Sequence, residues 1–510
     1  MDEKILTQIP HIGEISHRGV YQGAPEKHTD TFVTRYQREN KILPSLEDAI
    51  RASGLKDGMT ISFHHHFRGG DHVVNQVMDK LAEMGFKNLT LAASSLAAVH
   101  APLIEHIKNG VVTRIETSGM RGELAEQISR GLMDCPIVFR SHGGRAAAIR
   151  SGELHIDVAF LGAPSCDPYG NANGYSREEG GFIACGSMGY ARTDAESADK
   201  VVILTNKLVG YPNAPWAIPE HNVDYIVMME DIGDPKGIMS GATRYTKNPK
   251  ELLIAQTAAN VIDAAGYFYD GFSMQMGSGG ASLAAARFLR DMMIERKIHC
   301  RFALGGITGQ IAAMHEEGLI DRILDVQSFD LDAAHSLKHN RFHHQISASY
   351  YASFLSAAAV NQLDFVILSA LEIDTDFNVN VLTGSDGVIR GAIGGHPDTA
   401  SGASLSVVVA PLTRGRIPCV IDSVNTIVTP GSVVDVVVTD QGVAVNPRRP
   451  EVAEKLRKAG IRVYTIQQLK EKAEALVGKP DPIRYKDRVV GVVMFRDNTV
   501  IDVIRQIEED

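Results

Sequence analysis

Two stretches of this chain share one pattern, and that repeat constrains the fold more than any other feature. Ile156–Asn173 aligns without a gap to Leu363–Asn380, at an offset of 207 residues. Asp157, Ala163, Asp167, Asn171 and Asn173 coincide with Asp364, Ala370, Asp374, Asn378 and Asn380. In each copy an apolar run leads into a polar loop, as when a buried strand leaves a sheet. Two further pairs keep the same order and nearly the same offset. Asp57–Phe63 matches Asp270–Met276, both Asp-Gly followed by an apolar strand, and each strand is followed by a glycine pair, Gly69-Gly70 or Gly279-Gly280. Pro219–Val227 matches Pro430–Val438 at an offset of 211. A repeat of this length predicts two homologous α/β halves, about 46–235 and 245–450, joined by a connection from Pro235 to Pro249.

The strands support parallel sheets. The runs 201–205, 365–369, 406–410 and 434–439 are almost wholly apolar, which suits strands covered on both faces. Ser45 caps a predicted helix whose apolar side is Leu46, Ala49 and Ile50. Beyond about 450 the spacing predicts helices over 451–459 and 466–477 and a last strand over 489–495. Residues 1–45 lack sustained periodicity and read as an N-terminal arm.

Composition narrows the function classes. The formal net charge is −10, which opposes a long nucleic-acid footprint. Aromatic content is 6% with one Trp, too little for a carbohydrate- or RNA-stacking platform. The five cysteines are scattered with no C-x-x-C pair, which fits free thiols in a reducing cytoplasm. No apolar stretch of 18 residues exists, so no membrane span is expected.

The chemistry concentrates after the strands. In open α/β sheets ligands sit at the carboxyl ends of strands, and glycines there let backbone N–H groups approach an anion. Gly277, Gly279 and Gly280 follow the strand at 272–276 and are candidates for an oxyanion loop. His64, His66, Arg68, Gly69 and Gly70 follow the first repeat's strand, and Arg145 follows Ser141-His-Gly-Gly144. These groups are candidates for holding a polycarboxylate. On a strand His64 and His66 share a face while His65 points away, and no carboxylate or cysteine set accompanies them, so no metal is expected. Asp374 and Asn378, mirrored at Asp167 and Asn171, read as loop-shaping residues.

An internally duplicated α/β chain with a glycine loop after an Asp-Gly strand resembles the coenzyme A transferases. The stretches DGMTISF (57–63), DPYGN (167–171), SALEID (369–374) and Gly394-Gly-His-Pro-Asp398 carry that likeness. More closely, the chain is similar to the alpha-subunit family of bacterial citrate lyases through 63–71, 112–122, 271–284, 302–308, 324–330 and 369–400, although the first 40 residues lend no support. The resemblance implies an α/β fold of two tandem homologous CoA-transferase-like (NagB/RpiA-like) domains with mainly parallel sheets: an arm over 1–45, domain 1 over 46–235, and domain 2 with a C-terminal extension over 245–510. It implies citrate:acetyl-carrier acyl exchange, in which an acetyl thioester and citrate give a citryl thioester and acetate.

The same resemblance implies the other components. The thiol belongs to acetyl-CoA or to the CoA-like phosphoribosyl-dephospho-CoA arm of a gamma (acyl carrier) subunit, as co-substrate, with no tightly bound cofactor. A beta (citryl lyase) subunit is the other expected partner, in a cytoplasmic oligomer without nucleic acid or membrane. Gly394, Gly395, His396 and Asp398 correspond to the family's loop beside the CoA thioester. Glu372 is the acid that stands out. Many coenzyme A transferases use a glutamate nucleophile placed shortly after the glycine loop, but here that region, Phe302–Thr308, contains no acid. That departure favours direct attack by the citrate carboxylate through a mixed anhydride and leaves Glu372 to orient a loop or a proton. The alternatives are a transferase for another acid such as citramalate, and a noncatalytic ligand-binding scaffold on the same fold.

Overall fold

In the computed structural model the described residues are Pro10, 40–178, 183–239, 246–277 and 279–508. The N-terminal arm before residue 40 therefore lies almost wholly outside the described residues. Two large, mainly parallel sheets organise the chain. The first runs Ile42–Leu43, Tyr225–Met228, Lys200–Thr205, Val158–Gly162, Thr60–Phe63, Leu89–Ala93, Val112–Thr117, Ile137–Phe139, Tyr485–Met494, Val500–Ile507. The second runs His343–Gln345, Ile323–Ser328, Cys300–Ile307, Phe272–Met276, Phe365–Ser369, Leu405–Val409, Val436–Thr439, Gly442–Val445, Val463–Tyr464.

The repeat reappears as topology. Read from Tyr225–Met228 to Ile137–Phe139, the first sheet has the strand order that the second has from Val436–Thr439 to His343–Gln345. The registers agree too. Asp199 donates its N–H to Ile156 and Lys200 to Asp157, while Ser404 donates to Leu363 and Leu405 to Asp364. The mirrored aspartates shape loops in both copies. Asp167 accepts the N–H groups of Tyr169, Gly170 and Asn171 and the Asn171 side chain at 2.8 Å. Asp374 accepts those of Asp376 and Asn378 and the Asn378 side chain at 3.1 Å.

Local expectations hold where the chemistry is local. Ser45 Oγ accepts the Asp48 N–H and starts the helix Leu46–Ser53, which buries Leu46, Ala49 and Ile50. The C-terminal helices are Pro450–Lys458 and Ile466–Val477, the second opened by a Thr465/Gln468 capping box. The strand runs are buried on both faces: Val201 to Leu204, Phe365 to Ile367 and Val436 to Val438 are fully inaccessible.

The two halves interlock, and segments from outside the repeated stretches join the first sheet. Ile42 and Leu43, assigned to the arm, pair with Ile226 and Val227 in the first sheet. The C-terminal extension does not stay with the second half. Its last strand pair, 485–494 and 500–507, joins the first sheet, where Gly491–Val493 lie beside Ile137–Phe139. The reason is burial: Ile137 and Phe139 sit on an edge that would otherwise be open, and Val490, Val493 and Ile504 cover it. From the second half, Leu382, Ile389 and Ile393 also enter the first sheet's core. The described residues from 40 to 508 accordingly form one unit.

Candidate active site

The loops that leave both sheets at the carboxyl ends of their strands surround one cavity of about 310 Å³. From the first sheet come His65, after the strand 60–63, Ser95, after 89–93, and Ser118 and Arg121, after 112–117. From the second come Gly277, after 272–276, Gly306 on 300–307, Gln327 on 323–328 and Ser369 on 365–369. Helices add their starts: His142 opens 142–151, Tyr190 lies in the first turn of 189–197, and Gly279 precedes 280–296. Helix N-termini carry partial positive charge that favours an anion, although the start of 142–151 already has its His142, Gly143 and Gly144 N–H groups on Gly394, Asp398 and Ser141. Arginine side chains reinforce this, since Arg68, Arg121 and Arg414 line the wall. No aspartate or glutamate lines it among the described residues.

Arg68 takes a left-handed backbone conformation, φ 52°, in a short 3₁₀ turn over Arg68–Gly70. Its guanidinium lies 4.8 Å from the centre of the Phe329 ring. Burial and the neighbouring Arg121 lower its pKa to about 10. Arg121 is an exposed residue at the cavity, and partial enclosure lowers its pKa too. It has no hydrogen bond or ion pair to another described residue, so its donors face the cavity uncommitted. Arg414 donates to the carbonyls of Leu371 and Ala370 and so braces the wall.

The other polar groups form a neutral lining. His65, His142 and Tyr190 stack with centroids 4.5–5.8 Å apart. Burial holds the His65 imidazole well below its ordinary pKa, helped by the nearby cations, and moves His142 down to about 3. Tyr190 and Tyr351 are pushed upward by burial and stay protonated. The Tyr351 hydroxyl accepts a hydrogen bond from Gln275 Nε2 at 2.8 Å.

The residues singled out from sequence divide into three groups. Gly277, Gly279, Gly394, Gly395, His396 and Arg68 line the cavity. The Gly277 N–H, however, already donates to the Ile367 carbonyl at 2.7 Å and is not a free oxyanion donor. Those of Gly279, Gly394 and Gly395 make no hydrogen bond to a described residue. Gly394 at φ 57° is followed by Gly395 at φ −93°, ψ 15°, an alternation that curves successive N–H groups around an anion. His396 has both ring nitrogens engaged, with Thr429 Oγ1 at 2.7 Å and the Ser369 carbonyl at 3.1 Å, and burial lowers its pKa to about 4. It fixes the loop rather than offering a base.

A second group lies behind the wall. Asp398 is fully buried and accepts from Ser141 Oγ at 2.8 Å and the Gly143 N–H at 2.9 Å. Burial pushes its carboxyl up to about 6. Glu372, in the strand Glu372–Asp374, accepts from the side chains of Asn380 at 2.8 Å and Asn425 at 3.0 Å and from the Asn425 N–H at 3.3 Å, with its pKa raised by burial. It is 4% exposed and absent from the wall. Gly280 starts its helix with the side where a Cβ would sit against Glu251, 2.7 Å away.

The third group has other work. Arg145 forms a bidentate pair with buried Asp194 at 2.6 and 2.9 Å and donates to the Ala92 carbonyl, so it holds helices to the first sheet and does not line the cavity. His64 binds the Gly162 carbonyl at 2.8 Å, with its pKa lowered by burial to about 4, and fully buried His66 receives the Ala191 N–H at 3.4 Å. Of the three consecutive histidines it is His65, between them, that lines the cavity. Gly69 and Gly70 allow a close backbone approach: a Cβ on Gly70 would lie 2.2 Å from the Asp234 carbonyl oxygen. Sequence reasoning missed Arg121, His142, Tyr190 and Tyr351. Arg121 stands between two glycines just past a strand end, which was its one local signal.

Comparisons with known proteins identify the family. A family described as "Citrate lyase, alpha subunit (CitF)" matches residues 39–507. The citrate lyase alpha chains of Haemophilus influenzae and Escherichia coli are each 59% identical to this chain, over 96% of it and 97% and 95% of their own lengths. A solved alpha subunit of citrate lyase from Streptococcus mutans, in complex with citrate, superposes with a TM-score of 0.89 at 54% identity, covering 100% of this chain and 99% of that one. The alpha subunit of malonate decarboxylase from Acinetobacter baumannii shares the fold at 15% identity, with a TM-score of 0.63 over 87% of this chain and 94% of its own. With identity this high over nearly the whole length, the chain belongs to the citrate lyase alpha subunit family.

Proposed function

We propose that this chain catalyses acyl exchange between thioester and free acid: an acetyl thioester and citrate give a citryl thioester and acetate. The observation that carries the reading is a cavity at the carboxyl ends of both sheets with three arginines, Arg68, Arg121 and Arg414, and no carboxylate among its described lining residues. A tricarboxylate needs cations to position it, and Arg68 and Arg121 supply them. One citrate carboxylate oxygen then attacks the acetyl carbonyl carbon. The negative charge that develops on the carbonyl oxygen falls to the N–H groups of Gly394, Gly395 and Gly279, each such donor contributing roughly 3 kcal/mol. Collapse expels the thiolate and leaves an acetyl–citryl mixed anhydride. The thiolate attacks the citryl carbonyl of that anhydride, and acetate departs. Bonds and charge balance without ATP, redox cofactor or metal. The neutral walls, Tyr190, His65, His142 and Phe329, keep the thiolate and anhydride from water.

The absence of an acid among the described lining residues favours direct attack over a glutamyl thioester, and the engagement of Glu372 with Asn380 and Asn425 supports a loop-holding role. The natural thiol in this reading is a CoA-like arm on an acyl-carrier subunit, with acetyl-CoA as a free substitute. A citryl-cleaving subunit completes an oligomeric, cytoplasmic assembly. The citrate in the Streptococcus mutans structure supports the choice of acid, and the matching strand orders support reading the halves as homologous. The test is to incubate purified chain with acetyl-CoA and citrate, with citramalate and acetate as parallel acceptors, and to detect the new thioester by mass spectrometry. Citryl-CoA formed without ATP is expected. A citramalate product alone would change the acid. No product with any acid, even with the carrier subunit in place of CoA, would leave a noncatalytic scaffold.

A further inference from the structure

The segment 391–398 belongs to the second half in sequence but is fastened to the first. Met120 donates its N–H to the Gly391 carbonyl at 3.1 Å, Ile393 donates to the Ser118 carbonyl at 2.7 Å, and His142 donates to the Gly394 carbonyl at 2.9 Å. Gly119 and Ala392 form an antiparallel bridge so close that a Cβ on Gly119 would lie 2.2 Å from that of Ala392. At the far end Asp398 reaches into the start of the helix 142–151. Its two oxygens take the Ser141 hydroxyl and the Gly143 N–H, at 2.8 and 2.9 Å. Ser141 Oγ in turn accepts the Gly144 N–H at 2.9 Å. The fit leaves no slack, since a Cβ on Gly143 would meet the Ala352 carbonyl oxygen at 2.2 Å and Asp398 at 2.6 Å. Buried Arg496, from the C-terminal strand pair, lends Asp398 a favourable positive field. Between the two fastenings lie Gly394 and Gly395, which face the cavity.

We propose that Asp398 is a positioning residue for acyl exchange: bound by Ser141 and Gly143, it clamps the 391–398 segment across the two halves and so aims the Gly394 and Gly395 N–H groups at the thioester carbonyl. The inference rests on the acyl-transfer reading and adds to it how one wall of the site is held. A carboxylate is needed because it alone accepts both donors while carrying the charge that suits a helix N-terminus. A displacement of about 1 Å in such a wall costs on the order of 100-fold in rate.

The test is steady-state citryl-CoA formation by the whole chain as D398N, S141A and the double variant, with melting followed in parallel. D398N keeps one acceptor oxygen and turns an NH₂ group toward the other donor, so the two anchors can no longer both be accepted. Its kcat is expected to fall about 100-fold with KM for citrate within threefold. S141A removes one anchor and is expected to lower kcat about tenfold. In the D398N background S141A should add less than twofold, because both act through one clamp. A D398N enzyme that melts lower but keeps its kcat would overturn the proposal, and so would fully multiplicative effects or a rise in KM alone. If D398N does not fold, S141A decides, and an unchanged kcat refutes the clamp. Wild-type chain inactive with every acid would overturn the acyl-transfer reading and this inference with it, whereas an active wild type with an unaffected D398N overturns this inference alone.

Discussion

Replacing Glu372 with glutamine separates the two chemistries open to this fold. If Glu372 were a nucleophile, the amide would remove the reacting oxygen and lower kcat by about 10⁴-fold or more. The structure argues for a much smaller effect. Glu372 accepts three hydrogen bonds, from Asn380 Nδ2, Asn425 Nδ2 and the Asn425 N–H. Glutamine oxygen can keep the bonds from Asn380 and the Asn425 N–H, while its NH₂ meets Asn425 Nδ2, which must rotate and give up its contact with the Gly384 carbonyl at 3.3 Å. Losing one bond and the ionic character of two costs about 2–3 kcal/mol, and relief from burying a charge returns part of it. The net is roughly 1–2 kcal/mol of stability, and kcat should stay within tenfold of wild type. Thermal melting and initial-rate assays on E372Q check both numbers. Loss of activity by about 10⁴-fold, in a protein that melts within a few degrees of wild type, would refute the reasoning and restore a covalent role.

Three further outcomes are expected. R121A removes an uncommitted guanidinium from the cavity, so KM for citrate should rise by about 10- to 100-fold with a smaller change in kcat, as for the loss of a charge-assisted contact of roughly 1.5–3 kcal/mol; acetyl-CoA kinetics at saturating citrate provide the control. G395A places a Cβ 2.4 Å from the Tyr351 hydroxyl oxygen and 3.2 Å from the ring carbon bearing it, an overpacking cost of about 1–3 kcal/mol, and the pair G395A/Y351F should recover most of the lost melting temperature because the hydroxyl is the obstacle. Acid should destabilise the fold in the window below pH 6.5. His64, His142 and His396 are held by burial at about 4, 3 and 4, so the unfolded chain binds more protons there and stability falls as pH drops from their ordinary value of 6.5 toward those values. Between pH 6.5 and 5 each contributes about 2 kcal/mol of loss. Asp398, raised to about 6, works in the opposite sense and returns about 1 kcal/mol over the same window. These four groups give a net loss of about 4 kcal/mol, His65 and His66, also held low by burial, act in the same sense, and urea midpoints equal at pH 7 and pH 5 would contradict it.

What could be read from the sequence followed from local chemistry. The repeat in Asp157–Asn173 and Asp364–Asn380 gave the matching strands, and the all-apolar runs gave parallel sheets. Ser45 and the 466–477 spacing gave helix limits, and the glycines at 277–279 and 394–395 gave two sides of the cavity. What failed was set by pairing across long separations. Arg145 looks like an anion ligand until Asp194, 49 residues on, takes its guanidinium. Glu372 stands out as an acid in the sequence, but that it is held by Asn425, 53 residues on, shows only in the fold. Gly277 looks like a donor until the neighbouring strand's Ile367 carbonyl takes its N–H. His142 and Tyr190 reach the cavity only because two helices begin beside the other half's loops, and no periodicity within either helix announces that. The last strand pair crosses to the first sheet for the same kind of reason: the edge it covers lies about 350 residues earlier.

The central claim is that the citrate carboxylate itself attacks the thioester. Its most direct measurement is a single turnover with acetyl-CoA and citrate labelled with ¹⁸O in its carboxylates, followed by mass spectrometry of the acetate, the citryl-CoA and the intact chain. Direct attack predicts one citrate-derived ¹⁸O in the first acetate released, no label in the protein and no CoA adduct on it. Unlabelled acetate in the first turnover, with label or a CoA thioester on a protein carboxyl, would contradict the account.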